Sequence, residues 1–291
     1  MQVHLVDGTY ELFRHYYAPR PGHLDPDGVE VGAVRGVVTS VVDLLADGAT
    51  HVGVATDHVV ESFRNDLYDG YKTGEGIDPD LFAQFPLLET ALEALGVSVW
   101  RGLAHEADDA LASGVAVAVA DRRVREIVIC TPDKDLAQCV ADPRVWQYDR
   151  RQGIRYDEAG VLAKFGVPPT SIPDWLALVG DSADGFPGLP GWGAKSAAAV
   201  LARYGHLEDI PEPPWDVPVR GAARLAATLA EQYDDALLYK RLATLRPDME
   251  VGRVDDWRWT GPTDAFAGWT ERLGAPRLLG RVRDLSAARA G

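Results

Sequence analysis

Over the first 130 residues, continuous apolar runs alternate with stretches of helical period. Residues 2–6, 51–56, 97–100 and 126–130 carry few or no charges and no polar alternation, which predicts strands covered on both faces. Between them, Val31 to Leu45, Asp80 to Leu95 and Glu106 to Ala120 repeat apolar residues at spacings of three and four, and Gly96 stands where a C′ glycine would close the second of these helices. Strands joined by such crossovers predict an α/β fold with a mostly parallel sheet flanked by helices. Residues 57–79 break the rhythm with Arg64, Asp66, Asp69, Tyr71, Lys72 and three glycines. That stretch is too long and polar for an ordinary connection and predicts a functional loop or arch. From about residue 170 strand signals fade, and helical segments at 171–180, 194–204, 219–231 and 233–244 are separated by Pro- and Gly-rich turns. The expected division is therefore a sheet domain over 1–169 and a helical lobe over 170–291, with Pro211 to Pro218 as a stiff connector inside the lobe and no internal repeat.

In open α/β sheets ligands bind beyond the carboxyl ends of the strands. Here those positions are acidic. Asp7 follows the first strand and Asp57 the second; Glu106, Asp108 and Asp109 come after the third, and Asp133 and Asp135 after the fourth. Any one of these reads equally well as a helix cap or turn residue. Converging on one crevice, however, they would repel one another unless a cation lay among them. Oxygen donors without histidine or cysteine select a hard ion, Mg²⁺ or Mn²⁺. Glu106 and Asp109 share a helix face while Asp108 projects about 100° away from Asp109, an arrangement that suits two ions better than one. An aspartyl-phosphatase reading of Asp7-Gly8-Thr9 lacks the second aspartate that this chemistry wants, where Thr9 stands.

The second informative segment runs from Leu178 to Ala197 and is dense in glycine: Gly180-Asp181-Ser182-Ala183-Asp184-Gly185-Phe186-Pro187-Gly188, then Gly191-Trp192-Gly193-Ala194-Lys195-Ser196. A glycine turn leading into a helix exposes backbone N–H groups to a phosphate without sequence preference. Gly193 to Ser196 resembles the end of a P-loop, but Ala194 replaces its glycine and no strand precedes it, which argues against an ATPase. An ordinary helical hairpin does not need Asp181 and Asp184, which make sense if the second lobe lends carboxylates to the metal crevice.

Composition sharpens the picture. The chain has 291 residues, 46% hydrophobic and 25% charged, which are globular values. No apolar run reaches membrane-spanning length, and residues 1–7 read as a strand and not as a secretion signal, so the expectation is a cytoplasmic protein. Cys130 and Cys139 are the only cysteines and are expected in the core. The net charge of −15 opposes a nucleic-acid partner, although two divalent ions would bring it to −11.

These blocks, with Val6-Asp7-Gly8, Ala55-Thr56-Asp57, Phe63-Arg64, Tyr71-Lys72, Glu106-Ala107-Asp108-Asp109 and Asp133-Lys134-Asp135-Leu136, resemble the 5′-nucleases of the flap endonuclease superfamily. That family includes the amino-terminal exonuclease domain of bacterial DNA polymerase I and stand-alone bacterial and phage enzymes. The resemblance covers residues 2 to about 205. It implies a PIN-like α/β domain and a helix-hairpin-helix element at about 180–205 in the C-terminal lobe. It places Asp7, Asp57, Glu106, Asp108 and Asp133 around one ion, and Asp109, Asp135, Asp181 and Asp184 nearer a second. Arg64 and Lys72 would neutralise the scissile phosphate, and Tyr71 would stack on a terminal nucleotide. Gly188, Gly191, Gly193, Lys195 and Ser196 would grip the duplex backbone, with K⁺ bound at the hairpin. The implied activity is 5′-3′ exonuclease and flap-endonuclease cleavage of DNA at flaps, nicks and gaps, leaving a 5′-phosphate and a 3′-hydroxyl. RNA–DNA hybrids are further candidate substrates. With no polymerase segment following, a monomer acting alone or with a separate DNA polymerase is expected.

Two departures stand out. Thr73-Gly74-Glu75-Gly76 follows the Tyr-Lys pair where relatives carry a further arginine, and Thr131-Pro132 precedes Asp133 where a glycine is common. The rival readings are a PIN-type ribonuclease, which the added hairpin lobe argues against, and a non-catalytic binder of branched DNA that keeps the fold.

Overall fold

A computed structural model describes residues 1–19 and 22–290, which divide into two compact units. The first comprises Met1–Val60, Gly74–Thr131 and Pro247–Gly291; the second comprises Glu61–Thr73 and Pro132–Arg246. The boundary expected at 169/170 falls inside the second unit. The last 45 residues of the chain belong to the first unit.

The first unit is built on four parallel strands, β1 (Gln2–Asp7), β2 (His51–Thr56), β3 (Ser98–Arg101) and β4 (Glu126–Cys130), in the order β3-β2-β1-β4. Registers such as Asp7↔Ala55 and Val6↔Cys130 bring the carboxyl ends of β1, β2 and β4 to one edge. All four match the apolar runs to within a residue, because β1, β2 and β4 are buried almost throughout. Helices α1 (Gly8–Tyr16), α2 (Gly32–Ala46), α3 (Pro79–Phe82), α4 (Gln84–Leu95) and α5 (Ala107–Ala120) complete the crossovers. Gly96 closes α4 in the left-handed region at φ 86°, as its position in the sequence predicts.

In the second unit, β5 (Val145–Asp149) and β6 (Ile154–Tyr156) form an antiparallel hairpin, followed by α6 (Glu158–Phe165), α7 (Ile172–Val179), α8 (Ala194–Tyr204), α9 (Ala222–Glu231) and α10 (Tyr233–Ala243). Its apolar core gathers Trp175, Leu176, Phe186, Leu189, Trp192, Val200 and Leu242. Residues 57–78 contain no helix or strand, and the 61–73 portion packs into this core through Tyr71. Finally, α11 (Phe266–Arg272) and α12 (Arg277–Ala290) return to the first unit, where Arg272 pairs with Asp25 at 2.6 Å and Arg281 with Asp43 at 2.5 Å. Among the described residues no helix is long and apolar enough to cross a membrane.

Candidate functional site

Each unit carries its own group of acids. In the first, Asp7 ends β1 and caps α1: one oxygen accepts from the Tyr10 N–H at 2.8 Å and the other from the Thr131 hydroxyl at 2.9 Å. Asp57, just past β2, accepts from the Ala107 N–H at 2.7 Å, and its own N–H donates to the Thr9 hydroxyl at 2.9 Å. The loops after β1, β2 and β3 are therefore tied together at the carboxyl edge of the sheet. Glu106 and Asp109 form a reciprocal capping box at the start of α5, with the Glu106 N–H donating to Asp109 Oδ2 at 3.1 Å. Asp109 is fully buried by this arrangement, whereas Asp108 on the same turn is half-buried.

The second unit holds Asp133, Asp135, Asp181 and Asp184. Asp133 lies just before the short helical turn Asp135–Cys139; its side chain accepts from the Asp135 N–H at 2.9 Å, and its carbonyl accepts from the Gln147 side chain. Asp181 and Asp184 belong to the tight loop after α7, in which Asp181 Oδ1 accepts from the Ala183 N–H at 3.0 Å. One carboxylate oxygen from each of Asp135, Asp181 and Asp184 lies within 4.8 Å of the other two, and all three residues are buried. Burial, reinforced by Asp133 and Asp184, raises Asp135 well above the usual carboxylate range. Asp135 Oδ1 is buried and has no hydrogen-bond partner. A buried, unsatisfied carboxyl oxygen among other acids is the kind of donor set a hard divalent cation fits.

Two lysines flank this group. Lys72 Nζ lies 3.0 Å from Asp184 Oδ1, and Lys134 Nζ lies 2.5 Å from Asp181 Oδ2. Burial works against the Lys134 charge, yet Asp135, Asp181 and Asp133 together hold its pKa above the ordinary lysine value. Neither Lys134 nor Thr131 is named as a site residue from the sequence. Lys134 had a readable signal, since a lone base between two strand-end aspartates is unusual. Thr131 had none.

Two expectations change. Arg64 is 1% exposed, with Nε donating to the Leu242 carbonyl at 2.7 Å and Nη2 to the Thr244 carbonyl at 3.3 Å. It caps the carboxyl end of α10, where orphan carbonyls and the helix dipole favour a cation, and does not present its charge to a phosphate. Tyr71 is 3% exposed and lies in the apolar core, so its ring is not available for stacking on a nucleotide.

In the hairpin, Gly188 adopts φ 69°, and an added Cβ would lie 2.3 Å from the Gly180 nitrogen, so the loop before it and the turn after it touch backbone to backbone. Gly191 is also left-handed, at φ 85°, with the Arg224 guanidinium close over it. Gly193 is extended at φ −153° and begins α8, where the Ser196 hydroxyl exchanges hydrogen bonds with the Gly193 N–H and carbonyl, both at 3.0 Å. Ser196 is thus a helix cap, while Lys195 is exposed.

Residues 2–166 match the family model described as 5′-3′ exonuclease, N-terminal resolvase-like domain, and residues 167–265 match 5′-3′ exonuclease, C-terminal SAM fold. The chain is 34% identical to DNA polymerase I of Rhizobium leguminosarum over 97% of its own length, and 36% identical to that of Pseudomonas aeruginosa over 85%. In both cases it spans only 27% of the relative. Among solved structures, the bacteriophage T5 5′-exonuclease with bound zinc aligns over 98% of both chains with a TM-score of 0.66 at 17% identity. The catalytic core of Rad2 in complex with DNA substrate aligns over 98% of this chain and 91% of that one, with a TM-score of 0.63 at 18% identity. These likenesses establish the α/β fold with its C-terminal helical domain. Matched over more than half its length by the first of those models, the chain belongs to the 5′-3′ exonuclease family of enzymes.

Proposed function

We propose that this protein is a divalent-metal-dependent 5′-nuclease that hydrolyses DNA phosphodiesters at or near free or branched 5′ ends. The observation that carries this reading is the buried Asp135, Asp181 and Asp184 group, whose oxygens approach within 4.8 Å and include one without any hydrogen bond, in a chain of the 5′-3′ exonuclease family. The acids of the first unit, Asp7, Asp57, Glu106 and Asp108, are read as ligands in the same reaction. The double role of Glu106 and Asp109 as helix caps fixes their orientation. Two Mg²⁺ or Mn²⁺ ions would supply a hydroxide at neutral pH and neutralise charge on the leaving oxygen, giving a 5′-phosphate and a 3′-hydroxyl.

The protein's own part is to position the DNA. Lys72 offers its ammonium to the phosphate to be cut. The hairpin around Gly188, Gly191, Gly193 and Lys195 offers backbone N–H groups and charge to the duplex phosphates, with K⁺ as a candidate ion there. Nothing in these elements reads base edges, so flaps, nicks and gaps are recognised by shape, and RNA–DNA hybrids are candidate substrates on the same ground. The likeness to part of DNA polymerase I supports action beside a separate polymerase, in the cytoplasm.

Cleavage of an end-labelled 5′-flap DNA with Mg²⁺ or Mn²⁺, beside EDTA and an Asp181→Asn variant, tests the reading. Metal-dependent cutting near the branch that the variant loses is the expected result. Intact DNA under both metals, with binding retained, would overturn it in favour of a non-catalytic binder of branched DNA.

A further inference from the structure

Lys72 is fixed at its backbone and held by charge at its tip. Its N–H donates to the Asp184 carbonyl at 2.9 Å, its own carbonyl accepts from Asn65 Nδ2 at 3.0 Å, and its ammonium rests 3.0 Å from Asp184 Oδ1. The contact is tight on the backbone side as well: a Cβ added to Gly185 would lie 2.2 Å from the Gly70 carbonyl oxygen. Lys134 pairs in the same way with Asp181 Oδ2. Asp181 and Asp184 each also contribute an oxygen to the group that includes Asp135, whose buried Oδ1 has no partner. The two ammonium groups and a divalent ion therefore call on the same carboxylates.

Resting on the reading of these acids as metal ligands, we propose that ion and lysine compete: a divalent cation taken up by Asp135, Asp181 and Asp184 expels the Lys72 ammonium from Asp184 and releases it to a substrate phosphate. Coulomb's law sets the direction. A doubly charged ion about 2.1 Å from a carboxylate oxygen attracts it roughly three times as strongly as an ammonium about 3 Å away. An ammonium that stayed beside the ion would also be repelled by it. The pinned backbone keeps the freed side chain within its own length of Asp184, so the arm turns without the loop moving. The consequence is an order of events in which Lys72 grips a phosphate only in metal-loaded protein.

The test measures amine reactivity of the full chain without DNA. A water-soluble acylating reagent is applied with and without saturating Mn²⁺, and peptides are quantified by mass spectrometry, with exposed Lys195 as the internal reference. Lys72 should acylate at least about threefold faster with the ion, relative to Lys195, because its pairing with Asp184 is lost. In calorimetry, Lys72→Met should bind Mn²⁺ roughly tenfold more tightly, since a competing positive charge is gone. Unchanged Lys72 reactivity while calorimetry shows Mn²⁺ bound overturns the proposal, and so does an unchanged or weaker affinity in Lys72→Met. Those failures together with metal-dependent flap cleavage would sink the competition alone. Absence of both Mn²⁺ binding and cleavage would sink the nuclease reading and this proposal with it.

Discussion

Replacing Asp135 by asparagine should make the metal-free protein more stable while destroying its nuclease activity. The oxygens of Asp135, Asp181 and Asp184 lie within 4.8 Å of one another. At an effective dielectric constant of about 20, two unit charges at that spacing repel by about 3 kcal/mol, and Asp135 faces two such neighbours. Lys134 and Lys72 offset part of this through Asp181 and Asp184. The asparagine amide brings N–H donors to a place where the buried Oδ1 has no partner, a cost of about 1 kcal/mol. A net gain of roughly 1–2 kcal/mol remains, equivalent to a Tm rise of about 2–8 °C for a chain of this size. The pH dependence follows from the sign of the shift. The pKa of Asp135 is raised in the folded state above its ordinary 3.8, so its contribution to stability is full below that value and is lost as pH rises through the folded pKa. The advantage of Asp135→Asn should thus be largest at about pH 8 and shrink on acidification, as the native aspartate takes up its proton. Thermal melts in EDTA across that range are the assay. With Mg²⁺ at a hundred times its Kd the order should reverse, because the native protein gains about 2.7 kcal/mol that the variant largely forgoes. A variant that melts below the native protein in EDTA, or by a margin independent of pH, would refute the view that these acids are held against their own repulsion.

Arg64→Met should leave the Leu242 and Thr244 carbonyls without their cation and cost about 2–4 kcal/mol in urea unfolding. A raised KM for flap DNA with unaltered stability would instead return Arg64 to the phosphate. Gly188→Ala forces a Cβ to 2.3 Å from the Gly180 nitrogen and 2.5 Å from the Val179 carbonyl carbon, both backbone atoms, at φ 69°. It should cost at least about 2 kcal/mol, whereas Gly193→Ala, with nothing within 4 Å, is the matched control; equal melting of the two variants would contradict the geometry. Around the hairpin, Lys195 and Arg224 are exposed, which predicts a log–log salt slope of about −2 for duplex binding by Asp181→Asn in Ca²⁺. A slope steeper than about −6 would mean that other cations carry the grip.

The strands were legible because burial on both faces leaves a continuous apolar run, and the acids because each of the first group follows such a run. Elsewhere the signal was missing for identifiable reasons. Strand β6 is exposed at Ile154 and Arg155, so it shows no apolar pattern. The predicted helix from Asp80 to Leu95 is two helices, a break that the period of three and four hides but that Pro86, with no N–H to donate to the Phe82 carbonyl, explains. The return of α11 and α12 to the first unit rests on long-range contacts, among them the pairs Arg272–Asp25 and Arg281–Asp43, whose members are more than 230 positions apart. Such pairing leaves no trace in local periodicity. The burial of Arg64 and Tyr71 was hidden for the same reason: a polar loop sequence does not reveal that two of its side chains are buried.

The charge of −15 looked like the main objection to a DNA substrate, and the second unit shows how it can be met locally. With Asp135 deprotonated, Asp133, Asp135, Asp181 and Asp184 carry four negative charges, while Lys72 and Lys134 at the same group carry two positive ones. The remainder equals the charge of one divalent ion. If that ion displaces Lys72 without removing it from the neighbourhood, the local charge is balanced and one ammonium is turned outward. A group that repels phosphate in the absence of metal then attracts it once loaded. Net charge read from composition averages over this switch. The relevant quantity for an anionic substrate is the charge of the loaded group, together with the exposed cations of the hairpin.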